Sequence, residues 1–236
     1  MRTFKLDKFP YDEKIQVYKK NEVTIKPGVT VLVGCNGTGK STLFKTIKSE
    51  LDKNEIPVLS YDNISDGGQE MQKSLFYGHI RKLARLATYS EGERIVDNLN
   101  DYAMKVPEFI KSQGLSAKPK LELAIFGDKI EEKRGGKSPT EYWFLMDAIG
   151  SGLSVDNIEM IRKHFESLCK AFPKHLEAYV IIASNEYEFC PGQQCLNVQE
   201  CKYVDIPSYE AFRKEVFKTR NFKTKQYAKK EGDNDE

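Results

Sequence analysis

Nine consecutive residues, Gly34-Cys35-Asn36-Gly37-Thr38-Gly39-Lys40-Ser41-Thr42, carry the strongest chemical signal in the chain. They satisfy the spacing G-x-x-x-x-G-K-[ST], in which glycines let successive backbone N–H groups curl inward onto phosphate oxygens. In that arrangement Lys40 reaches the β- and γ-phosphates and the Ser41 hydroxyl ligates Mg²⁺. The apolar run Val29–Val33 ahead of the motif has strand character. The stretch behind it, Ser41 to Leu51, places Phe44, Ile47 and Leu51 at helical spacing. A helix starting there adds a favourable dipole at its N-terminus. These residues predict a site for a nucleoside triphosphate and Mg²⁺ built from Gly34, Asn36, Gly37, Thr38, Gly39, Lys40, Ser41 and Thr42. The alternative is a glycine-rich turn that merely joins a strand to a helix.

A second element is the run Trp143-Phe144-Leu145-Met146 closed by Asp147, a buried-type strand ending in an acid that can support the same Mg²⁺ as Ser41. Alone this pattern is common. Its continuation, Ala148-Ile149-Gly150-Ser151-Gly152-Leu153-Ser154, sharpens it, as do Tyr89-Ser90-Glu91-Gly92-Glu93-Arg94 and Ile181-Ile182-Ala183-Ser184-Asn185. With the phosphate motif in the form G-x-N-G-x-G-K-S-T, the order of these four pieces resembles the ATP-binding-cassette superfamily, in particular its soluble SMC- and RecF-like head domains. The resemblance runs from about Phe4 to Asn185.

The resemblance implies an α/β P-loop NTPase head with a mainly parallel core sheet, an N-terminal antiparallel subdomain and a small helical lobe near residues 62–139. It assigns Tyr89–Arg94 to the signature segment, in which Ser90 and the N–H of Gly92 hold the γ-phosphate bound by a second copy. An ATP-dependent, head-to-tail homodimer with two-fold symmetry follows. Asn185 falls at the switch-histidine position and joins Lys40 and Asp147 among the residues assigned to the chemistry. Gln69 or Asp62, in the polar stretch after the next strand, is expected near Mg²⁺ and the attacking water, or else in an ordinary turn.

Three positions depart from the family pattern. Ala148 stands where a glutamate normally polarises water, Asn185 where a histidine is usual, and Ser154 where an interface aspartate is usual. These changes predict a weak ATPase, slow or dependent on a partner, whose binding of ATP drives dimerisation. Glu186, Glu188 and Asp156 are the carboxylates that could substitute. The chain lacks a coiled-coil arm, membrane-coupling apparatus and a recognisable nuclease motif, so an effector protein is left open as a partner. Compact heads of this kind resemble those of bacteriophages and mobile elements. The competing reading is a non-enzymatic DNA- or protein-binding module that retains ATP as a structural ligand. Its distinguishing feature is the basic and aromatic segment Phe212–Lys230.

The surrounding elements must position these residues. A chain of 236 residues, 39% hydrophobic, can bury one substantial core. Its net charge of +2 does not announce a nucleic-acid protein. No signal-peptide core or membrane-length apolar run is read, so a soluble cytoplasmic protein is expected. The 5 cysteines fit reduced thiols, and the spacings of Cys190, Cys195 and Cys201 do not match a zinc ribbon. Strands are expected at Thr3–Phe9, Lys14–Lys19, Glu22–Ile25, Ile56–Tyr61, Tyr142–Met146, Ala178–Ala183 and Lys202–Ile206. Helices are expected at Glu70–Leu86, from Ser90 to about Val106, and at Val155–Cys169 and Tyr209–Lys218. The last is expected to dock through Phe212, Val216 and Phe217 and to give way to a solvated basic and acidic tail from about 219 to 236. Tyr11 or Tyr18 could stack on adenine, although strand aromatics more often belong to a core.

Overall fold

Two apolar faces of one sheet organise the chain. In the computed structural model, which describes residues 1–62, 91–118, 130, 135, 137–150 and 152–232, the elements follow in the order β1 (Arg2–Lys5), β2 (Glu22–Ile25), β3 (Gly28–Val33), α1 (Lys40–Lys53), β4 (Val58–Asp62), α2 (Glu91–Lys111), β5 (Glu141–Asp147), α3 (Val155–Ala171), β6 (Glu177–Ala183), β7 (Gln194–Asn197), β8 (Lys202–Val204) and α4 (Tyr209–Gly232). Six strands form the main sheet in the order β4-β5-β6-β3-β7-β8. All its pairings are parallel except that of the edge strand β8 with β7. Strands β1 and β2 make a separate antiparallel pair.

The central strands are apolar on both sides, as a parallel sheet covered on two faces requires. Tyr142, Phe144, Met146, Val180 and Ile182 turn to one side, where Phe109 of α2, Phe165 of α3 and Phe212 of α4 meet them. Trp143, Leu145, Tyr179 and Ile181 turn to the other, against Phe4, Ile25 and the Leu43, Phe44 and Ile47 stripe of α1. On that side Trp143 stacks on Tyr179 with ring centroids 4.0 Å apart, and Phe4 meets the indole edge-on. This is a mixed α/β fold with a mostly parallel sheet and a small antiparallel pair, as expected at that level. No helix among the described residues is long and apolar enough to cross a membrane.

Several expected elements differ. Residues 14–19 form no strand; Val17 and Tyr18 are buried, and the segment is held by core packing and scattered bonds such as Val17 N–H to Lys8 O at 2.8 Å and Lys19 N–H to Gln199 O at 2.7 Å. Strand β7, which pairs with β3, was not anticipated. Helix α2 continues past Pro107 to Lys111 because Phe109, fully buried, packs on Phe144 and Tyr142. That packing outweighs the local disruption by proline. It also makes the second half of α2 part of the main core. The largest difference is α4, which runs without interruption through 219–232 where a tail was expected.

Candidate functional site

Strand register brings the relevant chain segments to one edge. Leu32 of β3 pairs with Ala183 of β6, Ala183 with Asp147 of β5, and Asp147 with Asp62 of β4. The glycine-rich loop 34–39, the segment Ser184–Asn185 and Asp147 therefore lie together outside the carboxyl ends of neighbouring parallel strands. Open α/β sheets form their ligand crevices at such edges.

The loop's backbone demands its glycines. Gly37 and Gly39 adopt φ of 75° and 87°, in the left-handed region. A Cβ at Gly39 would also lie 2.6 Å from Val17 Cγ1. From beneath, the buried Tyr18 hydroxyl donates to Gly39 O at 2.8 Å. Within the loop, the buried Thr38 hydroxyl donates to Cys35 O at 2.8 Å. Helix α1 then starts at Lys40. Gly39 supplies no side-chain cap, and the first turn holds no acid. The helix N-terminus thus keeps backbone donors that its own side chains do not satisfy. Ser41 is exposed, and Thr42 Oγ1 hydrogen-bonds the Tyr11 hydroxyl.

Lys40 closes the loop on itself. Its Nζ donates to Gly34 O at 2.6 Å, Cys35 O at 3.2 Å and Asn185 Oδ1 at 2.9 Å. Asn185 in turn donates through Nδ2 to Asn36 Oδ1 at 2.8 Å. Burial lowers the Lys40 ammonium to a pKa of about 8, against the opposing pull of Cys35 and Asp147. Lys40, Asn36, Asn185 and Asp147 therefore form one electrostatic unit, assembled from three separate strand ends.

The other residues singled out in the sequence fall as follows. Ser90, Gln69 and Ser151 lie outside the described residues, and Gly92 is the second residue of α2. Ala148 directly follows Asp147 in a left-handed conformation, φ 54°. Ser154 precedes α3, and its hydroxyl holds the exposed Asp156 carboxyl below its ordinary pKa. Glu186 behaves differently. Its N–H donates to Ser184 Oγ at 3.1 Å, and its Cγ lies 3.0 Å from where a Cβ on Gly150 would sit. Burial, then the neighbouring Glu188, raises its carboxyl above the usual range. Of the three substitute carboxylates, Glu186 is thus the one packed against the loop that follows Asp147.

The two tyrosines named in the sequence sit differently. Tyr18 is a buried prop under the loop and presents no face to a base, whereas Tyr11 is exposed at the start of α1. Cys190, Cys195 and Cys201 are buried in the core.

The contacts that sequence reasoning missed come from α4. The Cys35 N–H donates to Thr219 Oγ1 at 2.9 Å, and that hydroxyl donates on to Val216 O at 2.7 Å. Lys223 Nζ donates to Asn36 O at 3.1 Å. The expected docking through Phe212 and Val216 is present, but Phe217 is 44% exposed and the inner stripe continues through the buried Thr219. As far as Gly232 the supposed tail is a helix, tied to the loop through Thr219 and Lys223, and residues 233–236 lie outside the described residues. A cavity of about 600 Å³ lies between them, lined by Asn36, Asn185, Phe217, Arg220, Lys223 and Tyr227 among others. The only signal in the sequence was the inner spacing 212-216-219-223, which continues the helical period beyond Lys218.

The chain matches no protein-family model and no curated protein. The geometry defines a mixed α/β protein whose glycine-rich loop, a lowered lysine and two strand-end residues, Asp147 and Asn185, meet at the carboxyl edge of a mostly parallel sheet.

Proposed function

We propose that the chain is a P-loop ATPase of the ATP-binding-cassette type, resembling SMC- and RecF-like heads, in which bound Mg²⁺-ATP drives head-to-tail dimerisation and hydrolysis is slow. The observation that carries this reading is the uncapped, acid-free start of α1 next to a half-buried ammonium whose hydrogen bonds go to the neutral Gly34 and Cys35 carbonyls and the Asn185 amide, with Asp147 near enough to attract its charge. Triphosphate oxygens make stronger, charge-assisted partners for Lys40 than the Gly34 and Cys35 carbonyls or the Asn185 amide do. The exposed Ser41 hydroxyl and the Asp147 carboxylate are the hard oxygen donors that Mg²⁺ takes, and these two residues would hold it. Bound there, the ion would neutralise charge on the β- and γ-phosphates.

For hydrolysis, a water oxygen attacks the γ-phosphorus, the bond from that phosphorus to the bridging oxygen breaks, and ADP departs with the bond's electron pair. Ala148 has no group to accept the water's proton. Glu186 is the acceptor we assign, because it packs against the loop that follows Asp147 and burial raises its carboxyl above the ordinary value, making it a stronger base. Asn185 orients by hydrogen bonding and takes up no proton. Gly92, in the first turn of α2, and Ser90 before it are assigned to the γ-phosphate held by the partner copy.

Light scattering with and without Mg²⁺-ATP tests the reading. The expected result is a doubling of mass with nucleotide, lost in Ser90→Arg, while that variant still binds ATP. An unchanged mass in the wild type overturns the dimerisation claim.

Proton linkage gives a second expectation. Lys40 is charged below a pKa of about 8 and loses its proton as pH rises through it. Bound phosphates favour the charged form, so affinity for Mg²⁺-ATP should fall above that pH, and binding there should take up a proton. Calorimetry at alkaline pH in buffers of different ionisation enthalpy reads the uptake directly. Equal affinity from roughly pH 7 to 9.5 contradicts the assignment of Lys40 to the phosphates.

A further inference from the structure

The loop 34–39 carries a second ammonium group that its motif does not announce. Lys40 takes the carbonyls of Gly34 and Cys35, and Lys223, arriving from α4, takes the next one, Asn36 O, at 3.1 Å. Two lysines separated by most of the chain thus sit on three consecutive carbonyls of one loop. Lys223 is half-buried, and its Nζ lies 2.5 Å from where a Cβ on Gly37 would be. It therefore occupies the space that this glycine leaves open. Thr219, one helical turn earlier, ties the helix to the Cys35 N–H and so fixes the lysine's origin relative to the loop.

Resting on the nucleotide site proposed above, we infer that Lys223 is a γ-phosphate ligand supplied by α4 of the same chain, so that the C-terminal helix distinguishes a triphosphate from a diphosphate. Backbone donors near the start of α1 serve the α- and β-phosphates. Lys223 instead sits on the Asn36–Gly37 side of the loop, next to the Asn185–Asn36 hydrogen bond. A cation there meets the terminal phosphate. Its bond to a neutral carbonyl is weaker than one to a phosphate oxygen, and its flexible four-carbon stem allows the exchange. Arg220, on the same cavity wall, adds positive charge to the approach.

The test compares Mg²⁺-ATP and Mg²⁺-ADP binding by calorimetry in the wild type, Lys223→Gln, Lys223→Arg and Lys40→Ala, with melting temperatures measured in parallel. Lys223→Gln is expected to lose roughly tenfold in ATP affinity and less than about twofold in ADP affinity, with Lys223→Arg recovering most of the loss. A lysine that only holds Asn36 in place predicts equal losses for both nucleotides. Equal losses, or no loss, in Lys223→Gln overturn this inference while leaving the nucleotide site standing, provided Lys40→Ala weakens binding. A wild type that binds neither nucleotide overturns the site and the inference together.

Discussion

Lys40→Ala should weaken Mg²⁺-ATP binding by roughly 100-fold or more, because it removes charge-assisted bonds worth about 1.5–3 kcal/mol each from two phosphates. The fold should survive the change. In the nucleotide-free protein Lys40 is a cation drawn down by burial, so its charged form disfavours the folded state at pH values below about 8. For a base whose folded pKa lies below its unfolded one, that penalty fades as pH rises from the folded value towards the unfolded one. The wild type should therefore gain stability across that alkaline interval, and Lys40→Ala should not. Thermal melts at neutral and alkaline pH read this difference, and calorimetry reads the affinity. A variant that binds ATP as well as the wild type would remove the loop from the account.

Glu186→Gln should lower ATP turnover by about 100-fold, the lower range for losing a general base, and should leave ATP affinity within about twofold. Since burial raises the Glu186 carboxyl, the wild-type rate should climb with pH over an interval above the ordinary carboxylate range. The glutamine variant should show no such limb. Ala148→Glu should raise turnover by placing a second carboxylate beside Asp147. The alanine already occupies the left-handed conformation there, so the longer side chain brings no new backbone strain of that kind. If Glu186→Gln keeps full activity while Glu188→Gln or Asp156→Asn loses it, the base has been assigned to the wrong carboxylate.

What could be read in the sequence and what could not divide along physical lines. Val29–Val33 and the 44-47-51 stripe of α1 were visible because burial on both faces of a strand, and on one face of a helix, writes a local period. Asp147 was visible because an apolar run ends on a charge. Strand β7 was not, since Gln194-Cys195-Leu196-Asn197 is short and only its pairing with β3 makes it a strand. Residues 14–19 misled because Ile15 and Val17 alternate as in a strand, whereas buried Val17 and Tyr18 serve as core and loop prop. The course of α4 was hidden for another reason. Lysines after Lys218 suggest solvent, and only the three-dimensional arrangement brings Thr219 and Lys223 onto residues 35 and 36. Glu186 stood out only after folding, through its packing at Gly150.

The most direct test of the central claim is amide hydrogen exchange across residues 33–43 with and without Mg²⁺-ATP. If backbone donors of loop 34–39 and the first turn of α1 hold the phosphates, exchange there should slow markedly on adding Mg²⁺-ATP in the wild type, and not in Lys40→Ala. Unchanged exchange across those residues, with nucleotide bound elsewhere or not at all, would contradict the account.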